Sequence, residues 1–75
     1  MDNQTLVSEL ITKLHAEIGR HLSKLERETV PAMRERLLNI IEGQSELGYR
    51  LGILTRAEAD SIMVSSREID VSIRR

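Results

Sequence analysis

Apolar side chains return every third or fourth residue along almost all of this 75-residue chain, and a single proline, Pro31, interrupts the rhythm. That spacing is the helical period, so the chain is constrained to fold as amphipathic helices packed stripe to stripe. In the first stretch the seam runs Val7, Ile11, Leu14, Ile18 and Leu25 in steps of four and three, and His21 occupies the one slot that departs from it. This is a heptad seam, the pattern of a helix lying along another helix. Leu6, Leu10 and Leu22 widen it to the face expected of a helix with more than one neighbour. Asp2 or Thr5 is placed to cap its start.

Proline is excluded from a helix interior but fits its first turn, so Thr29-Val30-Pro31 predicts a tight turn and the start of a second helix. There the 4-3 spacing resumes at Met33, Leu37, Ile40, Leu47, Leu51 and Leu54, with Gln44 where an apolar residue is due and Leu38 and Ile41 beside the seam. Gly43 and Gly48 lie inside this helix. Each costs up to about 1 kcal/mol relative to alanine, which marks either a close approach to a neighbour or a helix of modest intrinsic stability. Gly52 suits a C-cap, and Thr55-Arg56-Ala57-Glu58 has capping-box spacing with Leu54 and Ala59 placed as a hydrophobic staple. A third helix follows, its inner side running through Ala59, Ile62, Met63, Ser66, Ile69 and Ile73, with Arg74 and Arg75 at the negative end of its dipole. Ile69, Val71 and Ile73 also alternate with polar residues, so a strand paired across two chains is the competing reading for 67–74. The expected fold is all-α: one domain with helices at about 3–28, 31–51 and 55–73.

Phe, Trp and Cys are absent and Tyr49 is the only aromatic residue, so the core must be built from aliphatic side chains with no disulfide to staple it. Cores of this size seldom supply more than roughly 3–5 kcal/mol unaided, which makes oligomerisation the remaining support. A homodimeric helical bundle is therefore expected, with Val7, Ile11, Leu14, Ile18, Met33, Leu37, Ile40 and Leu47 as its core. No apolar run is long enough to span a bilayer, and the expected setting is cytoplasmic.

Little in the sequence points to catalysis or to a cofactor. His15 and His21 are six residues apart, so on one helix they diverge and cannot share a metal ion. His21 reads as a hydrogen-bonded structural histidine or as a pH-sensitive register residue in a dimer core. Glu46 and Arg50 are spaced as a surface pair. Arg20, Lys24 and Arg27 form a basic stripe, and a hairpin would gather them at one end with Arg34 and Arg36. Such a patch could hold RNA or DNA phosphates or an acidic protein surface; with a net charge of -1, interleaved Glu26, Glu28 and Glu35, and no aromatic platform for bases, a solvated charged face is its default reading. Arg20, Lys24, Arg27 and Tyr49 are the candidate partner-binding residues.

Ser66-Arg67-Glu68-Ile69-Asp70 resembles the Ser-Gln-Glu-Leu-Asp motif of the small sporulation-regulatory aspartyl-phosphate phosphatases. The likeness covers roughly residues 33–73, with Gly52 standing for the glycine between that family's helices. Arg67 stands where the family has glutamine, and the long first helix has no counterpart. The resemblance implies a two-helix protein acting on a phosphorylated response regulator, with Ser66, Glu68 and Asp70 engaging the phosphorylated site. Composition and periodicity lead instead to a small noncatalytic regulatory protein that binds and modulates another protein, such as a transcriptional or signalling regulator. A phosphatase-type regulator and a helical-bundle RNA or DNA binder are the alternatives.

Overall fold

The computed structural model describes residues 3–74. It has three helices: α1 (Asn3–Arg27), α2 (Pro31–Arg50) and α3 (Arg56–Arg74). Each pair packs together, in a body measuring 47 × 21 × 14 Å. The all-α expectation holds, and residues 67–74, where a strand was the competing reading, are helical. Asp2 and Arg75 lie outside the described residues, as do the side chains of Ile73 and Arg74. Thr5 is the third residue of α1, inside its first turn, and is not its cap.

The helix ends follow local chemistry. Pro31 opens α2 at a position where its missing N–H costs nothing. At the other end Gly52 adopts φ 74°, the left-handed conformation that glycine takes without penalty. The Gly52 N–H donates to the Tyr49 carbonyl (3.1 Å) and the Ile53 N–H to the Gly48 carbonyl (2.9 Å), the two bonds of a Schellman motif. The capping box of α3 forms as its spacing predicts. The Thr55 N–H donates to Glu58 Oε1 at 2.9 Å, and the Glu58 N–H donates to Thr55 Oγ1 at 3.1 Å. Leu54 and Ala59, the expected staple, are both buried.

Gly48 is a packing requirement. A Cβ there would lie 2.7 Å from Leu54 Cδ1 and 2.8 Å from Leu14 Cδ2, so α1 and the α2–α3 turn close over bare backbone. Gly43 meets nothing within 4 Å and carries only its propensity cost.

Among the described residues the enclosed hydrophobic side chains are Ile18, Leu25, Ile41, Leu54 and Ala59. They share the interior with four polar residues: His21, Arg34, Ser45 and Ser66. Among the described residues every buried polar side-chain atom has a hydrogen-bond partner, which makes such a mixed interior tolerable. The inward face of α2 is therefore Arg34, Ile41, Ser45 and Gly48, one residue around from the greasier set Met33, Ile40 and Leu47. On α3 the expected inner side holds, with Ala59 and Ser66 buried and Ile62, Met63 and Ile69 partly so.

Candidate protein interface

Arg34 shows how far the interior depends on polar groups. It lies in the first turn of α2, where a cation opposes the helix dipole, yet it is 6% exposed. One guanidinium nitrogen donates to the carbonyls of Leu25 (3.1 Å) and Glu28 (2.7 Å), supplying the partners that the end of α1 lacks. The other donates to Asp70 Oδ1 at 3.0 Å and thereby ties α2 to the end of α3. A single side chain thus caps one helix from a second and clamps a third. The sequence places Arg34 with the surface cations, and the structure removes it from them.

The two residues that depart from the heptad seams also meet. His21 Nδ1 lies 3.0 Å from Gln44 Oε1 across the α1–α2 contact, so in this arrangement the ring N–H donates to the amide oxygen. Each polar residue is the reason the other is tolerated in an apolar seam. His15, on a different side of α1, is exposed and faces Glu58 at 3.8 Å. Glu58 is held below the usual carboxylate range, first by the Thr55 N–H, then by its hydroxyl, with His15 adding attraction. No group of three His, Asp or Glu residues among the described residues is arranged to hold a metal ion.

The candidate partner-binding residues do not form one patch. Lys24 and Arg27 lie exposed at the end of α1 beside the α1–α2 turn, whereas Tyr49 is at the far end of α2, in a groove between α2 and α3 with Glu46 and Arg56. Arg20 donates to Glu17 at 2.6 Å, which lowers the carboxylate's pKa and leaves the pair nearly neutral. Arg50 is spent in the same way on Glu46, at 2.7 Å. The expected gathering of five cations is reduced by Arg34, buried, and by Arg20, paired.

The Ser66–Asp70 segment is mostly turned inward. Ser66 is 1% exposed and its hydroxyl donates to the Met63 carbonyl, Asp70 receives Arg34, and Glu68 is exposed. Contact of all three with a phosphorylated site would require Ser66 and Asp70 to leave these partners.

Comparison with protein families, with curated proteins and with solved structures finds no match.

What the surface does present is aliphatic. Of the expected dimer-core residues, only Ile18 is buried within the chain. Ile11, Leu14 and Leu37 are half-buried, and Val7, Met33, Ile40 and Leu47 are exposed. Leu6, Leu10 and Leu51 are exposed as well, at 49%, 50% and 64%. Residues 4–10 of α1 are exposed throughout. Where α1 and α2 converge, Leu10, Leu14, Leu47, Leu51 and Ile53 line a shallow groove with Lys13 and Glu17 at its rim. The period marks these residues as apolar stripes, and the packing of the helices decides which of them face outward.

Proposed function

We propose that this chain is a small noncatalytic regulatory protein, acting in the cytoplasm, that binds another protein through the α1–α2 face and modulates its activity. The observation that carries this reading is the set of exposed aliphatic residues on α1 and α2: Leu10, Leu47 and Leu51 around the groove, and Leu6, Met33 and Ile40 elsewhere on the same two helices. Soluble monomers seldom leave a contiguous apolar patch larger than a few hundred Å² uncovered unless it serves binding. The face is a groove between two helices, the shape that accepts an apolar helix stripe with anchors at three- and four-residue spacing. Coverage of a target's own dimerisation or DNA-contacting surface is the simplest way such a module alters activity.

The test is capture from the native cell with the intact chain, in parallel with Leu10→Glu and Leu51→Glu variants. A protein retained by the wild type is then purified and titrated against all three. The reading expects a saturable complex that either glutamate weakens by at least about tenfold, through desolvation of an unpaired charge. Equal binding by all three chains, or no protein retained, would refute it.

A further inference from the structure

We infer that the groove between the last two turns of α1 and the second half of α3 is a docking site for a lysine- or arginine-bearing helix of another protein. It is a second surface, separate from the α1–α2 groove, and it does not rest on the reading just given.

Leu22 and Glu26 of α1 and Ser65, Glu68, Ile69 and Ser72 of α3 line an open groove of about 720 Å³, within the range of about 300–1,000 Å³ that binding clefts occupy. Leu22 and Ile69 are half-buried and give it an aliphatic floor, while Ser65 and Ser72 add hydroxyls. Glu26 and Glu68 stand exposed, one on each helix. A lysine or arginine side chain has the matching division: an apolar stem that covers aliphatic surface, and a cationic head that needs an acceptor.

The negative charge of this groove is not compensated from within the described residues. Glu17, Glu46 and Asp60 pair with Arg20, Arg50 and Arg56 on their own helices, and Asp70 takes Arg34. Glu26 and Glu68 have neither a hydrogen bond nor an ion pair. No cation stands three or four residues from either, the positions from which a helix neutralises a carboxylate. Lys24 is two residues from both Leu22 and Glu26 and so lies on the opposite side of α1, and Arg27 turns to the Ser23 carbonyl at 3.4 Å. Arg67 lines the adjoining hollow with Val64 and Val71 and makes no ion pair with Glu68. The helix ends add to the field. Arg34 joins the Leu25 carbonyl to Asp70, which places the C-terminal ends of α1 and α3 at one end of the bundle, so both dipoles present their negative ends beside the groove.

Two unpaired carboxylates beside an aliphatic floor fix the kind of occupant. Phosphate chains and anionic lipid surfaces are repelled. An uncharged helix stripe would desolvate Glu26 and Glu68 without giving either a partner, a cost that a cation removes. Two helices side by side form the trough in which a third helix lies, its cations reaching Glu26 on one rim and Glu68 on the other. Because the whole chain carries a net charge of only -1, the attraction belongs to this groove and not to the surface at large.

The test is an amide NMR titration of the intact, isotope-labelled chain with a synthetic helical peptide of Leu, Ala and Lys. One control peptide has Glu in place of Lys, and another has Ala in place of Leu at equal charge. Glu26→Gln, Glu68→Gln and the double variant probe the groove, with Glu9→Gln and Glu35→Gln as controls at exposed positions outside it and circular dichroism confirming that each chain folds. The expected result is saturable shifts centred on Leu22, Glu26, Glu68 and Ser72 with the Lys peptide, weaker binding of the Leu-free peptide and none of the Glu peptide. Each single groove variant should weaken binding about threefold and the double about tenfold, the worth of exposed ion pairs, while both control variants match the wild type. No saturable shifts, undiminished binding by the double variant, or equal binding of the Lys peptide and either control peptide would overturn the inference. Shifts confined to Leu10, Leu47 and Leu51 would overturn it and leave the proposed function standing. Binding through Glu26 and Glu68 by a chain that captures no target would support it and remove the proposed function alone.

Discussion

Replacement of Arg34 by alanine tests most directly whether the interior is organised as described. The substitution removes the donors to the Leu25 and Glu28 carbonyls and the cation facing Asp70, a carboxylate whose side chain is 13% exposed. Withdrawal of one member of a buried ion pair costs about 3–5 kcal/mol, because the remaining charge keeps its desolvation penalty and loses its compensation. A 75-residue domain has roughly 4–11 kcal/mol of stability in total. Arg34→Ala should therefore leave the chain barely folded at 25 °C. Urea unfolding followed by circular dichroism reads the change. With a slope near 1 kcal/mol/M, the midpoint should fall by about 3 M or more, or the transition should vanish. All chains are compared at one concentration. Asp70→Asn, which keeps an acceptor and removes the charge, should cost less. The double variant Arg34→Met/Asp70→Leu should recover most of the loss, because apolar replacement of a whole buried pair is close to neutral. A loss below about 1 kcal/mol for Arg34→Ala would show that the guanidinium is solvated in solution and that the three-helix clamp is not a feature of the fold.

Gly48→Ala should destabilise by about 1–3 kcal/mol despite alanine's higher helix propensity, since its methyl group overlaps Leu54 and Leu14, while Gly43→Ala should gain up to about 1 kcal/mol; thermal denaturation of the two variants reads the opposite signs. Gln44→Leu alone strands the His21 N–H at a cost of about 1–3 kcal/mol, and His21→Leu/Gln44→Leu should restore or exceed wild-type stability, so a double-mutant cycle showing no coupling would contradict the contact. Thr55→Ala should cost about 1 kcal/mol and raise the Glu58 midpoint towards that of an ordinary glutamate, as followed by carboxyl NMR titration; an unchanged midpoint would contradict the cap. Because the folded pKa of Glu58 is depressed, its contribution is present in full above the unfolded pKa and is lost as pH falls through the folded one. Acid unfolding of Thr55→Ala should accordingly be less steep over that window than acid unfolding of the wild type.

The ends of the helices were legible in the sequence because the interactions that set them are local. Pro31, Gly52 and the Thr55–Glu58 pair act within four or five residues of themselves, and each does in the structure what its type and spacing imply. The boundaries of α1, α2 and α3 follow within a residue of the expected ones. The seams were legible as stripes for the same reason, since a period is a property of the string. The departures from those stripes were also visible, but not their relation: nothing within the sequence says that His21 and Gln44, twenty-three residues apart, satisfy each other.

Which stripe of α2 faces inward was decided by tertiary structure. Hydrophobicity ranks Met33, Ile40 and Leu47 above Arg34, Ser45 and Gly48, yet the second set is buried. The inversion is physical. A buried arginine or serine is tolerated only where another helix brings an acceptor to it, as Asp70, the end of α1 and the Ala59 carbonyl do, and a bare glycine helps only where another side chain presses close. Those partners come from remote parts of the chain, so local pattern carries no trace of them. Sequence alone settled that the molecule is three amphipathic helices with more aliphatic surface than one copy encloses; the packing of those helices settled which part of that surface was left facing outward.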